Sequence, residues 1–330
     1  MRTAILILML ACDAPAPDCP VPNWQIEAVR PSEGNAGAVV TAQLGPDGSV
    51  IVVIADATAT VRFGGTLLDG MHIARVSPDG ADMTIEPAGV GGYVYGRPLG
   101  VDSSNRPVVV WGVQEPTLVG YSAALGERWR RTIHCYGVDA IVAVAPTGEV
   151  AYRECGPSMS APSLRLLDPD GVERWHVDGV LASRLGFLPN GDVVSFEPDD
   201  RRVVRRANDG SFVSERASAL PALIAADGGS LVATYVPDAR YELERYAQDG
   251  VLVWSKSIVA NISPLGVVFA TNGDVIVGTP EIARLESATG EELSRVSLCE
   301  FPTLVGGDDH SVVVLSVNGS PARGLERYEN

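Results

Sequence analysis

The residues able to do chemistry in this sequence are charged side chains that recur at one position in four of its repeats, the second, third, fourth and seventh. Arg97, Asp139, Arg184 and Glu300 fall at or within one residue of the same position when the chain is divided at its recurring turn glycines. Each stands at the start of an otherwise apolar run, such as Ile141-Val142-Ala143-Val144. A charge in that place needs solvent or a partner, so the four together predict a polar mouth that binds a ligand. A ring of charges compensating one another around water meets the same need. Hydrolase or lyase chemistry would require a converging pair, Asp139 with His134 or Arg97 with Glu300, one member of it with a perturbed pKa. His72, His134, His176 and His310 stand in different repeats, and no Cys-x-x-Cys or His-x-x-x-His spacing occurs. No catalytic residue and no metal site is therefore expected. The Asp-Gly turns at Pro78-Asp79-Gly80 and Asp168-Pro169-Asp170-Gly171 lack the alternating spacing of a calcium loop, and turn geometry accounts for them.

What must position these side chains is a repeated hairpin. Leu164 to Leu167 leads into the turn Asp168-Pro169-Asp170-Gly171, and Val172 to His176 returns, carrying Trp175. Related hairpins centre on Gly80, Gly126, Gly210, Gly250 and Gly290; with Gly171 the turn glycines stand 46, 45, 39, 40 and 40 residues apart. Half a repeat away a second turn recurs, at Pro46-Asp47-Gly48, Pro146-Thr147-Gly148, Asn190-Gly191, Asp227-Gly228 and Asn272-Gly273, with degenerate copies at Asp102 to Pro107 and Gly307 to Ser311. Such dipeptides suit tight hairpins because the turn needs positive φ. Two hairpins make four strands, and four strands in this period make one propeller blade. The first strands, nearly all apolar, are expected to be buried on both faces. The fourth strands alternate and carry charge, as outer edges do. No stretch shows a helical period.

Seven copies are visible, and the last stops after a third strand at Gly324 to Glu329. Trp24, in Asn23 to Ala28, stands where fourth strands have Trp129, Trp175 and Trp254. The expectation is an all-β chain: a single seven-bladed β-propeller of four-stranded antiparallel blades over residues 23–330, its ring closed by the N-terminal strand completing the last blade. The longest connection, Asp56 to His72, is expected to overhang the mouth.

Hairpins of the form Asp-x-Asp-Gly-x-x-x-Trp, at Asp168 to Trp175 and with variation at Ala247 to Trp254, resemble repeats of the quinoprotein-like (pyrroloquinoline-quinone-dehydrogenase-like) propeller superfamily. The Pro-x-Gly-x-Val hairpins resemble repeats of bacterial secreted propellers. The resemblance implies the fold without the redox chemistry: quinone-dependent members carry a vicinal Cys-Cys pair and a calcium site, and no Cys-Cys occurs here. No cofactor is expected. The tryptophans read as wedges between blades.

At the N-terminus, Arg2 precedes an apolar run from Ala4 to Ala11 that is too short to span a bilayer. Met9-Leu10-Ala11-Cys12 resembles a bacterial lipobox, which implies removal of residues 1–11 and lipidation of Cys12; an ordinary secretory signal with an incidental cysteine is the alternative. Residues 12–22 then read as the lipidated cysteine and a proline-stiffened tether. The expected place is the cell envelope, periplasmic or at the cell surface, held to a membrane by lipid. The net charge of −16 repels phosphate backbones, so no nucleic-acid partner is expected. Of the remaining cysteines, Cys135 and Cys155 flank one hairpin and are expected to bridge; Cys19 with Cys299 follows by elimination. The basic run Arg201-Arg202-Val203-Val204-Arg205-Arg206 alternates across a strand and reads as local ion pairing. These readings combine into a monomeric, tethered binding or scaffolding module for an envelope protein, peptide or glycan that catalyses nothing. The alternative is a hydrolase or lyase acting at the channel mouth.

Overall fold

The computed structural model describes residues 24–29, 39–54, 60–88, 99–112, 116–134, 141–155, 162–217, 222–225, 227, 229–236, 240–259, 266–270, 272–278, 281–297, 302–307, 311–316 and 323–329. Every regular element among them is a strand. In chain order, β1 (Trp24–Val29) precedes blade 1, made of β2 (Val39–Leu44) and β3 (Val50–Ile54), then, after the inserted hairpin β4 (Thr60–Phe63) and β5 (Thr66–Asp69), β6 (His72–Val76) and β7 (Met83–Pro87). Blade 2 holds β8 (Leu99–Val101), β9 (Pro107–Trp111), β10 (Thr117–Tyr121) and β11 (Glu127–Thr132); blade 3 holds β12 (Val142–Val144), β13 (Val150–Glu154), β14 (Ser163–Leu167) and β15 (Glu173–Asp178). Blade 4 comprises β16 (Arg184–Phe187), β17 (Val193–Glu197), β18 (Arg202–Arg206) and β19 (Phe212–Ala217), and blade 5 β20 (Ala222–Ile224), β21 (Ser230–Val236), β22 (Arg240–Tyr246) and β23 (Leu252–Val259). Blade 6 is β24 (Gly266–Phe269), β25 (Val275–Gly278), β26 (Glu281–Leu285) and β27 (Glu292–Ser297), followed by β28 (Pro302–Gly307), β29 (Ser311–Ser316) and β30 (Arg323–Glu329).

The expected propeller of four-stranded antiparallel blades is present, but with six such blades and not the seven expected. Six blades have four strands; the remaining sheet has six, in the order β28-β29-β30-β1-β4-β5. The N-terminal strand β1 pairs with β30, Trp24 opposite Arg327 and Ala28 opposite Arg323, as the sequence suggests. The extra pair of strands is the inserted hairpin. Residues 60–69 do not overhang the mouth: β4 joins the far edge of β1 through Ala28↔Phe63 and Val29↔Arg62. The reason is apolar surface. Phe63 and Leu68 are buried against Leu44, Val52, Ile54 and Val76 of blade 1, which carries the hairpin onto the neighbouring sheet.

Burial also corrects the reading of the strands. The fully buried strands are the second ones: β3, β9, β13, β17 and β25 are buried at every residue, whereas β12 and β24 are only half-buried. A second strand is flanked by strands on both edges and by blades on both faces; an innermost strand has a free edge. The outer strand β15 alternates as expected, half-buried then exposed along its length, whereas β19 is exposed at five of its six residues. The core lies between blades. Ile51, Val53 and Ile73 of blade 1 meet Val109, Trp111 and Tyr121 of blade 2, and Leu231, Leu243 and Trp254 of blade 5 meet Val275 and Leu285 of blade 6.

The turns carry the regularity. At Asp168 to Gly171 the Gly171 amide donates to the Asp168 carbonyl at 3.0 Å and Gly171 takes φ 82°. A Cβ there would lie 2.6 Å from the ring of Trp129, so glycine is required both by the backbone and by the wedge it receives. In blade 2 the left-handed residue is Leu125 (φ 64°), one position before Gly126, so dividing the sequence at glycines misplaces that turn by one. The tryptophans are wedges: Trp129 Nε1 donates to the Pro169 carbonyl at 3.1 Å, Trp175 to Asn208 at 2.9 Å and Trp254 to Ser287 at 2.9 Å, each across a blade junction.

Candidate functional site

Of the four residues expected at the channel mouth, the structure places Arg184. It opens β16, is exposed, and donates from Nη1 to the Ser183 carbonyl at 3.0 Å. Arg97, Asp139 and Glu300 lie outside the described residues, as do Cys12, the tether, Cys19, Cys135, Cys299 and His310. Cys155 is buried and disulfide-bonded, and its amide donates to the carbonyl of His134 at 3.1 Å. His72, His134 and His176 sit in three separate blades; His176 Nδ1 bonds Glu173 at 2.8 Å. Among the described residues no group of His, Cys, Asp and Glu has a geometry for a metal ion, and no helix is long and apolar enough to cross a membrane.

Sequence reasoning missed a cavity of about 380 Å³ between blades 4 and 5, away from the strand β16 that begins with Arg184. Its floor is Val194 of β17 with Val203 and Arg205 of β18. Alternate residues of the outer strand β19, Ser214 and Arg216, form one wall beside Glu215, and the blade 5 turn supplies Gln248 and Asp249. Arg205 is held by Asp192 (2.6 Å), and Glu215 accepts from Arg202 (2.8 Å). Arg216 donates to Ser230 Oγ at 2.5 Å, lies 5.9 Å from the Tyr246 ring centroid, and is pulled below the ordinary guanidinium range by burial. The basic run is therefore ion-paired as expected: Arg202 also meets Glu197 (2.8 Å) and Asp200 (2.9 Å). The cavity lining is mostly polar, and exposed apolar side chains lie elsewhere on the same two blades. Six of the eight large apolar side chains exposed among the described residues belong to blades 4 and 5: Phe212, Val213, Val251, Leu252, Val253 and Val259. The signals available were the basic run that supplies Arg205 and the missing tryptophan in β19, an absence that β7 and β27 share.

A second charged cluster closes the junction of blades 2 and 3. Glu173 accepts from Arg165 (2.7 Å), Arg131 (2.5 Å) and His176, while Arg165 also pairs with Glu154. Burial raises the Glu173 carboxyl, and the bonds from Arg165, His176 and Arg131 more than reverse it, leaving it below the usual carboxylate range. Asp47 is lowered in the same way, burial being outweighed by Ser49 and Arg75, and so is Asp227, where Arg245 and the Gly229 amide win. A carboxylate with a depressed folded pKa adds stability that is present above its unfolded pKa and lost as pH falls through the folded value. The thermal midpoint is accordingly expected to drop below about pH 4, and Glu173→Gln to flatten that acid limb. An unaltered limb in the variant would remove Glu173 from the account.

No protein-family model matches the sequence, and no curated protein matches it. Among solved structures, a streptogramin B lyase superposes with a TM-score of 0.60 at 13% identity, covering 92% of this chain and 97% of that one. A catalytically inactive variant of virginiamycin B lyase from Staphylococcus aureus, solved with quinupristin, gives 0.60 at 11% identity over 92% and 99% of the two chains. The chain is a β-propeller. At these identities the likeness shows the fold alone. BamB from Moraxella catarrhalis superposes at 0.45 with 15% identity over 93% of this chain and 91% of its own, too loosely to carry any argument.

Proposed function

We propose that the protein is an exported, membrane-tethered propeller that binds another polypeptide of the envelope and catalyses nothing. The observation that carries this is the set of exposed apolar side chains on blades 4 and 5: Phe212 is 57% and Leu252 48% exposed on the outer strands of these neighbouring blades, where a soluble surface gains nothing from them. Outer strands also offer free backbone groups to an added strand. Export and the lipid on Cys12 belong to the same proposal and rest on residues 1–22; fatty-acid labelling of wild type and not of Cys12→Ser is the expected result. A Cys135–Cys155 bridge belongs to it too, supported by the bonded state of Cys155 and by its amide contact with His134, the residue before Cys135. A non-reducing peptide map should join the two cysteines.

The test of binding is affinity capture from the native envelope. Wild type should retain a protein that Phe212→Asp and Leu252→Asp lose, while Arg184→Ala retains it. Capture lost only with Arg184→Ala would move the site to the channel mouth, with Arg97, Asp139 and Glu300 as its other members. Turnover of a substrate abolished by substituting Arg97 and Asp139 together would replace the binding module with an enzyme.

A further inference from the structure

Three blade junctions in this protein share one pattern, while blades 1, 4 and 6 carry Thr84, Ser214 and Ser294 in the register of the tryptophan. At these three an indole from the fourth strand lies opposite a third-strand residue of its own blade, Trp129↔Gly120, Trp175↔Leu166 and Trp254↔Arg245. Each donates its N–H to the carbonyl of the second residue in the next blade's outer turn, and each covers the glycine of that turn, whose Cβ would fall 2.6, 3.0 and 2.8 Å from the ring. Blade 1 has Thr84 in this register, opposite Arg75, and Arg75 Nη1 supplies the equivalent bond, 2.8 Å to the Ala123 carbonyl of the next turn.

The junction of blades 4 and 5 departs from the pattern. Ser214 stands opposite Arg205, the register of the tryptophans. Arg205 does not reach the next turn; it bonds Asp192. The stem of Arg216 covers Gly250, its Cδ 2.9 Å from where a Cβ would be, and the cavity opens beside it against Val194 and Val203, the counterparts of Ala151 and Leu164 in the cluster that holds Trp175. The cavity described above is this vacant tryptophan seat.

We propose that the seat takes a tryptophan side chain from a polypeptide partner, its ring on Val194 and Val203 and its N–H directed at the blade 5 turn. This rests on the binding reading above and names the partner's anchor. The chemistry suits an indole more than a phenyl ring. The three resident indoles each use a turn carbonyl, and Gln248 holds that place in the turn of blade 5. The planar guanidinium of Arg216 offers a cation to the ring face, and Val251 and Leu252, which follow Gly250 in the blade 5 turn, are exposed.

The probes are N-acetyltryptophanamide, N-acetylphenylalaninamide and the blocked pentapeptide Val-Thr-Trp-Thr-Val, titrated into the isotope-labelled full chain and followed by NMR. The tryptophan amide is expected to bind with a Kd on the order of 1 mM, about tenfold tighter than the phenylalanine amide, and the pentapeptide about tenfold tighter again. Shifts should centre on the amides of Ser214, Gln248 and Gly250. Ser214→Trp fills the seat and should abolish the shifts while the chain stays folded. If that variant does not fold, the map of shifted amides in wild type decides alone. Absence of saturable binding by both tryptophan probes, shifts centred elsewhere, or no gain from the pentapeptide overturns the proposal; the last would make the occupant a free indole compound. If the probes fail while Phe212→Asp still loses the captured protein, the docking surface stands and its tryptophan anchor does not.

Discussion

Replacing Trp254 by alanine is expected to cost about 3–5 kcal/mol of stability, read as a lowered urea midpoint. Trp254 is only 7% exposed and packs among Leu231, Leu243, Val275 and Leu285 from two blades, so truncation empties a space that neither sheet can close without shearing past the other. Its N–H to Ser287 adds about 1 kcal/mol, and Trp254→Phe, which keeps most of the packing, should lose little more than that bond. Gly290→Ala is a second lesion in the same contact, since Gly290 takes φ 72° and a methyl there would meet Trp254 at 2.8 Å. The clash disappears when the indole is gone. The double variant is therefore expected to cost less than the two single costs added together. Strict additivity would mean that the wedge and the turn do not share their energy.

This wedge also shows what could be read from the chain itself. The hairpin period is visible because turns need positive φ, and glycine supplies it wherever a turn must also admit an indole, as at Gly171. The same logic fails at Leu125, which takes the left-handed place without being glycine and shifts the count by one residue. The inserted hairpin was illegible for a different reason. Thr60 to Asp69 has ordinary strand chemistry, but that its partner is β1, more than 30 residues earlier and outside the sheet of blade 1, follows from where Phe63 and Leu68 find apolar cover. Burial of the second strands rather than the first is likewise a property of position in the blade, since Val142 to Val144 and Val150 to Ala151 are equally apolar. The candidate site was legible in Arg205 of the basic run and as an omission. Ser214 is unremarkable until the register sets it beside Trp175 and Trp254.

Ring closure sets the second large effect. A chain beginning at Asn23 should fold, whereas one beginning at Arg30 should lose about 5 kcal/mol or fail to hold its fold, because five ladder partners of β30, from Arg327 to Arg323, go unpaired at about 1 kcal/mol each. The loss spreads beyond the ladder. β1 is also the strand on which β4 leans, through Ala28↔Phe63 and Val29↔Arg62, so its removal frees the hairpin that buries Phe63 and Leu68 on blade 1. What remains is a sheet ending in an open β30 edge beside newly exposed apolar side chains, a template for pairing with a second chain. Size-exclusion chromatography should show oligomers of the shorter chain, and a synthetic peptide spanning residues 23–29 should return it to monomer by supplying the missing strand in trans. Equal urea midpoints for the two chains would show that β1 decorates the sheet without closing it.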